Sequence, residues 1–168
     1  ADTDLAPVSA NPSFESEDGR MPAEWSVWLK YGAGTKDIAA EAARTGRQGL
    51  VFRGVRRGGP LQTLAFEPGE YAAVAYIRTP AAVADGATAT LSVTPLDEKG
   101  NNLPGLSTIV PLAEGDWTPL AVAGPIPKEI NGRSVAKVRL IVVLDGLAAD
   151  DVVHLDDVKM VRIGDLAK

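Results

Sequence analysis

Apolar residues along this chain alternate with polar or small ones far more often than they recur at helical spacing. Glu70 to Thr79, EYAAVAYIRT, puts Tyr71, Ala73, Ala75 and Ile77 on one parity and Tyr76 and Arg78 on the other. A period of two sends successive side chains to opposite faces of a strand. The same reading predicts strands at Trp25 to Lys30, Lys36 to Ala43, Gly49 to Gly54, Leu61 to Glu67, Glu70 to Thr79, Ala87 to Leu96, Thr108 to Leu112, Trp117 to Ala123, Val135 to Leu144 and Val152 to Ile163. The only helical candidate, Asp37 to Arg44, is short, and its Ile38, Ala40 and Ala42 suit a strand equally well.

One strand breaks its own rhythm. In VVHLDDVKMVRI, Val153 and Leu155 place the apolar face on odd positions, whereas Val158 and Met160 place it on even ones. The flip at Asp156-Asp157 requires an extra residue, so a β-bulge is predicted there. Adjacent carboxylates at such a point either face water at a sheet edge or meet a cation.

Compact turn signals separate the strands: GGP at Gly58 to Pro60, PGE at Pro68 to Glu70, Asp85-Gly86, DEKGNN at Asp97 to Asn102, EGD at Glu114 to Asp116 and NGR at Asn131 to Arg133. The glycines of Gly58-Gly59 read as loop residues. About ten short strands without intervening helices imply an all-β antiparallel sandwich, immunoglobulin-like or jelly roll. A chain of 168 residues fits one domain spanning 1–168, with an ordered core over about 9–163.

Composition narrows the function classes. Lys plus Arg number 17 against 22 Asp plus Glu, a net charge of -5, so no general basic field attracts nucleic acid. No window approaches the run of about 18 apolar residues that a membrane span requires. Cysteine is absent, which removes disulfides and thiolate chemistry. The start, ADTDLAPVSA, lacks both Met and an apolar stretch, as in a mature exported protein; a trimmed sequence would look identical. The expected location is secreted, extracellular or periplasmic.

The motifs at both ends and in the middle resemble those of the carbohydrate-binding-module superfamily with a galactose-binding-like jelly roll, especially families 4, 9, 16 and 22. Asn11-Pro12-Ser13-Phe14-Glu15 followed by Trp25, and Leu155-Asp156-Asp157-Val158, look like its bookends. Thr45 to Leu50, Pro68 to Tyr71 and Asp116 to Thr118 are similar to its "sGkysL", "pGkY" and "gdW" elements. The resemblance implies a structural calcium held by the Glu15 carboxylate, the carbonyls of Ser13, Arg44 and Arg47, and Asp156, with Asp157 in reserve. Calcium takes six to eight oxygens, carbonyls included, at about 2.3 to 2.6 Å. It also implies that Phe14, Trp25, Tyr71 and Trp117 are core residues. One departure stands out: where family 22 carries a stacking tryptophan near "WxGp", this chain has Arg57-Gly58-Gly59-Pro60.

Catalysis finds no constellation. His154 is the only histidine, and on strand parity it shares a face with Asp156. Glu15, Glu70, Asp97, Asp156 and Asp157 are the candidates for a glycosidase pair, and nothing in the sequence sets two of them across a cleft. Arg53, Arg56 and Arg57 form a basic cluster suited either to an acidic sugar or to solvent. Sugars stack on aromatic rings ringed by polar groups. Parity turns Trp28 away from Trp25, and Tyr76 and Arg78 away from Tyr71, so the expected ligand strip is Trp28, Tyr76 and Arg78 with Tyr31 from the adjoining loop. Together with the family resemblance, these features imply a non-catalytic module that targets an attached or partner enzyme to polysaccharide or oligosaccharide. The alternative is a structural jelly-roll module contacting other domains of a larger extracellular protein.

Overall fold

The computed structural model describes residues 7–18 and 20–166. Among the described residues eleven strands run in chain order: β1 (Ser26–Leu29), β2 (Thr35–Ala39), β3 (Gly49–Arg53), β4 (Arg57–Ala65), β5 (Gly69–Thr79), β6 (Thr88–Asp97), β7 (Leu106–Pro111), β8 (Gly115–Ile126), β9 (Glu129–Ile130), β10 (Arg133–Asp145) and β11 (Val152–Gly164). They form two antiparallel sheets. One has the order β1-β4-β10-β6-β7, with the short β9 added to β10; the other has the order β2-β3-β11-β5-β8.

Alternation assigns the faces. Tyr71, Ala73, Ala75 and Ile77 of β5 and Val153 and Leu155 of β11 meet Leu91, Val93, Val138, Leu140 and Val142 of the other sheet in one core. Each large aliphatic side chain buried there contributes roughly 1.5 to 3 kcal/mol. The bulge falls where the parity flip predicts it. The β11–β5 register shifts between Asp156 and Lys159, Asp157 sits at φ 50, and Val158 and Met160 return to the buried face.

The bulge also divides β11 between two neighbours. Before it, Val152 to Leu155 pair with β3. After it, the N-terminal segment takes the vacated side: Pro7 bridges Val161, the amides of Val8 and Ser9 donate to the Met160 carbonyl, and the Val158 amide donates to the Pro12 carbonyl.

Two expectations need correction. Gly58, Gly59 and Pro60 are not loop; they open β4, which lies between β1 and β10. A Cβ on Gly59 would collide with the Val142 carbonyl and one on Gly58 with the Trp28 carbonyl, so close backbone approach dictates glycines that otherwise read as turn punctuation. Trp117 is not in the core with Phe14, Trp25 and Tyr71; it lies half-buried beside the Arg78 guanidinium, 5.4 Å from ring centre to Cζ. The candidate helix and predicted strand around Asp37 to Arg44 resolve into β2 followed by a single 3-10 turn at Ala40–Ala42.

Candidate functional site

The five residues expected around a cation converge on one place. Asn11 builds the first wall: its Oδ1 accepts the Glu15 amide at 3.0 Å and its Nδ2 donates to the Glu15 carbonyl at 2.8 Å. Phe14, fully buried and 4.6 Å from the Trp25 ring, anchors this turn. The Glu15 carboxylate therefore reaches the 44–48 loop, where Oε1 accepts the amides of Arg47 at 2.8 Å and Gln48 at 3.3 Å. Gly46 sits at φ +70, and a Cβ there would occupy the space of Glu15 Oε1. From the other side Asp156 Oδ2 accepts the amides of Arg44 at 2.7 Å and Thr45 at 3.1 Å, while Oδ1 accepts the Asp157 amide at 2.8 Å. Ser13 Oγ donates to Asp157 Oδ1 at 2.7 Å.

These residues suit a hard cation on one specific ground. Glu15 Oε2 is buried with no hydrogen-bond partner, the Arg47 Nε standing off at 3.8 Å, and native structures rarely leave such an acceptor unbonded. Among the described residues no three acidic or histidine side chains cluster, so an ion here would draw on carbonyls as well as on Glu15 and Asp156, a mix that calcium accepts. Asp157 is already engaged: Thr45 Oγ1 donates to it at 2.5 Å, and the Arg44 guanidinium, which also lies 3.4 Å over the Tyr76 ring, donates at 2.9 Å.

Burial pushes the Asp156 carboxyl up to about 6, against the opposing bonds from Thr45, Arg44 and Asp157. Burial also acts upward on Asp157, but its bonds from Thr45, Ser13 and Arg44 outweigh that and hold it below the usual range. A carboxyl raised in the fold contributes stability that is complete below its unfolded value of about 3.8 and lost as pH rises through about 6. His154 works oppositely, since burial and Arg78 lower it, so its contribution is lost as pH falls below 6.5. In chelator, the melting temperature of the wild type minus that of Asp156→Asn is therefore expected to fall between pH 4.5 and pH 7. Parallel curves would refute the assignment.

The expected ligand strip is not one surface. Trp28 belongs to β1 and the first sheet, whereas Tyr76 and Arg78 belong to β5 and the second, so they face opposite sides of the molecule. Parity fixes a side chain's face within its strand but not the sheet that the strand joins. Tyr31 stands on neither sheet; it occupies the Lys30–Gly32 turn at φ 64 and is 76% exposed.

On the first sheet, Trp28 is 38% exposed and lines a groove of ≈ 520 Å³. The register sets Trp28 across from Gly59, which brings no side chain. Leu61, Ile141 and Val143 form an apolar floor, and Arg139, Asn102 and Thr94 supply polar groups around it. Sequence reasoning found Trp28 but missed this floor, because the groove crosses β4, β10 and β6, whose adjacency is non-local. On the second sheet, Arg78 donates to the Glu41 carbonyl at 2.8 Å and lies 3.0 Å from Nδ1 of buried His154. Tyr76 is covered by Arg44. Both are thus engaged within the protein.

In sequence, neither a family model nor a curated protein matches the chain. In structure it is similar to the family 61 carbohydrate-binding module TmCBM61, solved with β-1,4-galactotriose, at TM-score 0.65 and 20% identity over 94% of this chain and 99% of that one. A second family 16 carbohydrate-binding module matches at TM-score 0.66 and 21% identity over 92% and 99% of the two chains. The family 22 module and catalytic domain of a Clostridium thermocellum endo-1,4-β-D-xylanase, complexed with xylohexaose, match at TM-score 0.61 and 18% identity, over 98% of this chain and 29% of the larger one. The fold is that of the β-sandwich, jelly-roll carbohydrate-binding modules.

Proposed function

We propose that this chain is a non-catalytic carbohydrate-binding module whose glycan site is the Trp28 groove. The observation that carries the reading is the pairing of an accessible indole with apolar and polar side chains in one depression. The C–H face of a sugar ring stacks on Trp28, and Arg139, Asn102 and Thr94 hydrogen-bond its hydroxyls. Arg139 is suited to this because, among the described residues, its Nε has only Thr63 Oγ1 as a partner, at 3.3 Å. Calcium, held by Glu15, Asp156 and the carbonyls of Ser13, Arg44 and Arg47, supplies positive charge that fastens the N-terminal segment to the bulge. Tethering of an attached or partner enzyme to polysaccharide, outside the cell or in the periplasm, completes the proposal.

Replacing Trp28 with alanine is expected to weaken binding in a glycan array and in calorimetry by about 1 to 3 kcal/mol. The melting temperature should hardly move. Unchanged affinity would remove the groove from the reading.

A specific observation favours the rival, a module that docks on another domain. The outer face of the second sheet carries a shallow, mainly apolar patch of Ala72, Val74, Ala121, Ala123 and Val161, with Lys159 beside them. Failure of every glycan to bind, with a charge introduced at Ala121 tolerated in isolation, would favour that role.

A further inference from the structure

The basic cluster read in the sequence splits in the fold. Arg57 lines the Trp28 groove and is paired with Asp145 at 2.5 Å. Arg53 and Arg56 instead line a separate cavity of ≈ 400 Å³ where the β1–β2, β3–β4 and β10–β11 connections meet. Leu147, Ala148 and Ala149 form its apolar wall.

Neither guanidinium pairs with a carboxylate among the described residues. Arg53 reaches only the Asp150 carbonyl, at 3.5 Å, and its cross-strand neighbours are Thr35 and Val152, neither of them acidic. Asp151 is tied to the loop itself, its Oδ2 accepting the amides of Ala84 at 2.9 Å and Ala148 at 2.8 Å, and it forms no ion pair with either arginine. Two unneutralised arginines on a chain of net charge -5 are a local reversal of the overall field.

The cavity is also held in shape. The Gly54 amide donates to the Asp151 carbonyl at 2.9 Å, the Gly146 amide to Arg56 at 2.8 Å, and the Leu147 amide to Val55 at 3.2 Å. Gly54 at φ +65 has no room for a Cβ beside the Ala149 carbonyl, 2.7 Å away. Tyr31, just upstream in the β1–β2 connection, keeps an exposed ring at φ 64, a conformation that bulky residues rarely adopt and that clusters at ligand-binding segments.

The geometry points to a second ligand site, in which Arg53 and Arg56 clamp an anionic group carried by a saccharide, either a uronate carboxylate or a sulfate ester. Planar guanidinium groups match both oxyanions with paired N–H donors. The saccharide part rests on the glycan-binding reading above; the anionic part rests on the arginines alone.

Calorimetry with a galacturonate trimer, a sulfated galactose trisaccharide and neutral galactotriose tests it on three proteins: wild type, Arg53→Ala/Arg56→Ala and Trp28→Ala. The wild type is expected to bind one acidic trisaccharide at least on the order of tenfold more tightly than the neutral one, with the advantage shrinking in salt. Whichever acidic sugar wins identifies the source of the anion. The double arginine variant should lose the preference while keeping neutral binding and melting temperature. In Trp28→Ala the neutral affinity should drop and the acidic preference persist. No acidic preference in the wild type, or a preference that survives loss of both arginines, overturns the site. A preference retained where neutral sugar fails to bind upholds it and sinks the groove instead.

Discussion

Asp156→Ala is expected to cost more stability than any other single carboxylate substitution in the chain. Asp156 is fully buried, and its two oxygens accept the amides of Arg44, Thr45 and Asp157. A methyl group leaves all of them facing a void. An unmet buried donor costs about 1 to 3 kcal/mol, and water entering at the loop recovers part of it, so the expected loss is about 3 to 5 kcal/mol. For a domain of this size that is roughly 10 °C in melting temperature. Asp156→Asn keeps one acceptor and turns a donor toward the amides, so it should fall between wild type and alanine. Urea melts of the three proteins in chelator check the ranking. An alanine variant as stable as wild type would mean that the 44–45 loop does not depend on this side chain.

The second large effect is the one expected of the proposed calcium. An ion that binds only the native state at a hundred times its dissociation constant adds about 2.7 kcal/mol, or roughly 5 to 10 °C here. The melting temperature should therefore rise by that amount between chelator and millimolar calcium at matched ionic strength. Glu15→Gln separates the ion from its surroundings. It keeps an oxygen for the amides of Arg47 and Gln48 but loses the charge on Oε2, which makes no hydrogen bond and faces only the exposed Arg47 guanidinium at 3.8 Å. The variant should melt near wild type in chelator and gain little from calcium. Identical wild-type midpoints in the two buffers would rule out the ion.

The reach of the sequence follows the range of the interactions. The bulge at Asp156-Asp157 was legible because parity is local: one apolar pair on each side suffices to expose an inserted residue. The opening Asn11 to Glu15 was legible only through its resemblance to a family motif, whose turn the structure shows closed by Asn11 itself. Gly58 to Pro60 was not, since its composition is that of a turn and only the backbones of β1 and β10 on either side make glycine obligatory. Trp28 and Tyr76 were both correctly turned outward, yet they lie on different sheets, and sheet membership is decided by strand pairing between distant segments. Trp117 was misplaced for the opposite reason: a large aromatic residue at a strand start is usually packed inward, and here it lies beside Arg78 instead.

The antiparallel pairing of the N-terminal segment with the far end of β11 has a mechanical side. Pro7 lies opposite Val161, and the pairing then runs inward through Met160 and the Val158–Pro12 bond to the Ser13–Asp157 bond. Tension between residues 7 and 164 would pull both strands from the same end, so it peels them one bond at a time rather than shearing them together. Peeling is the weaker geometry, and it proceeds until it meets the knot of Glu15, Asp156 and the 44–48 loop. Under tension applied to the two ends, that knot decides whether the sandwich holds or unravels.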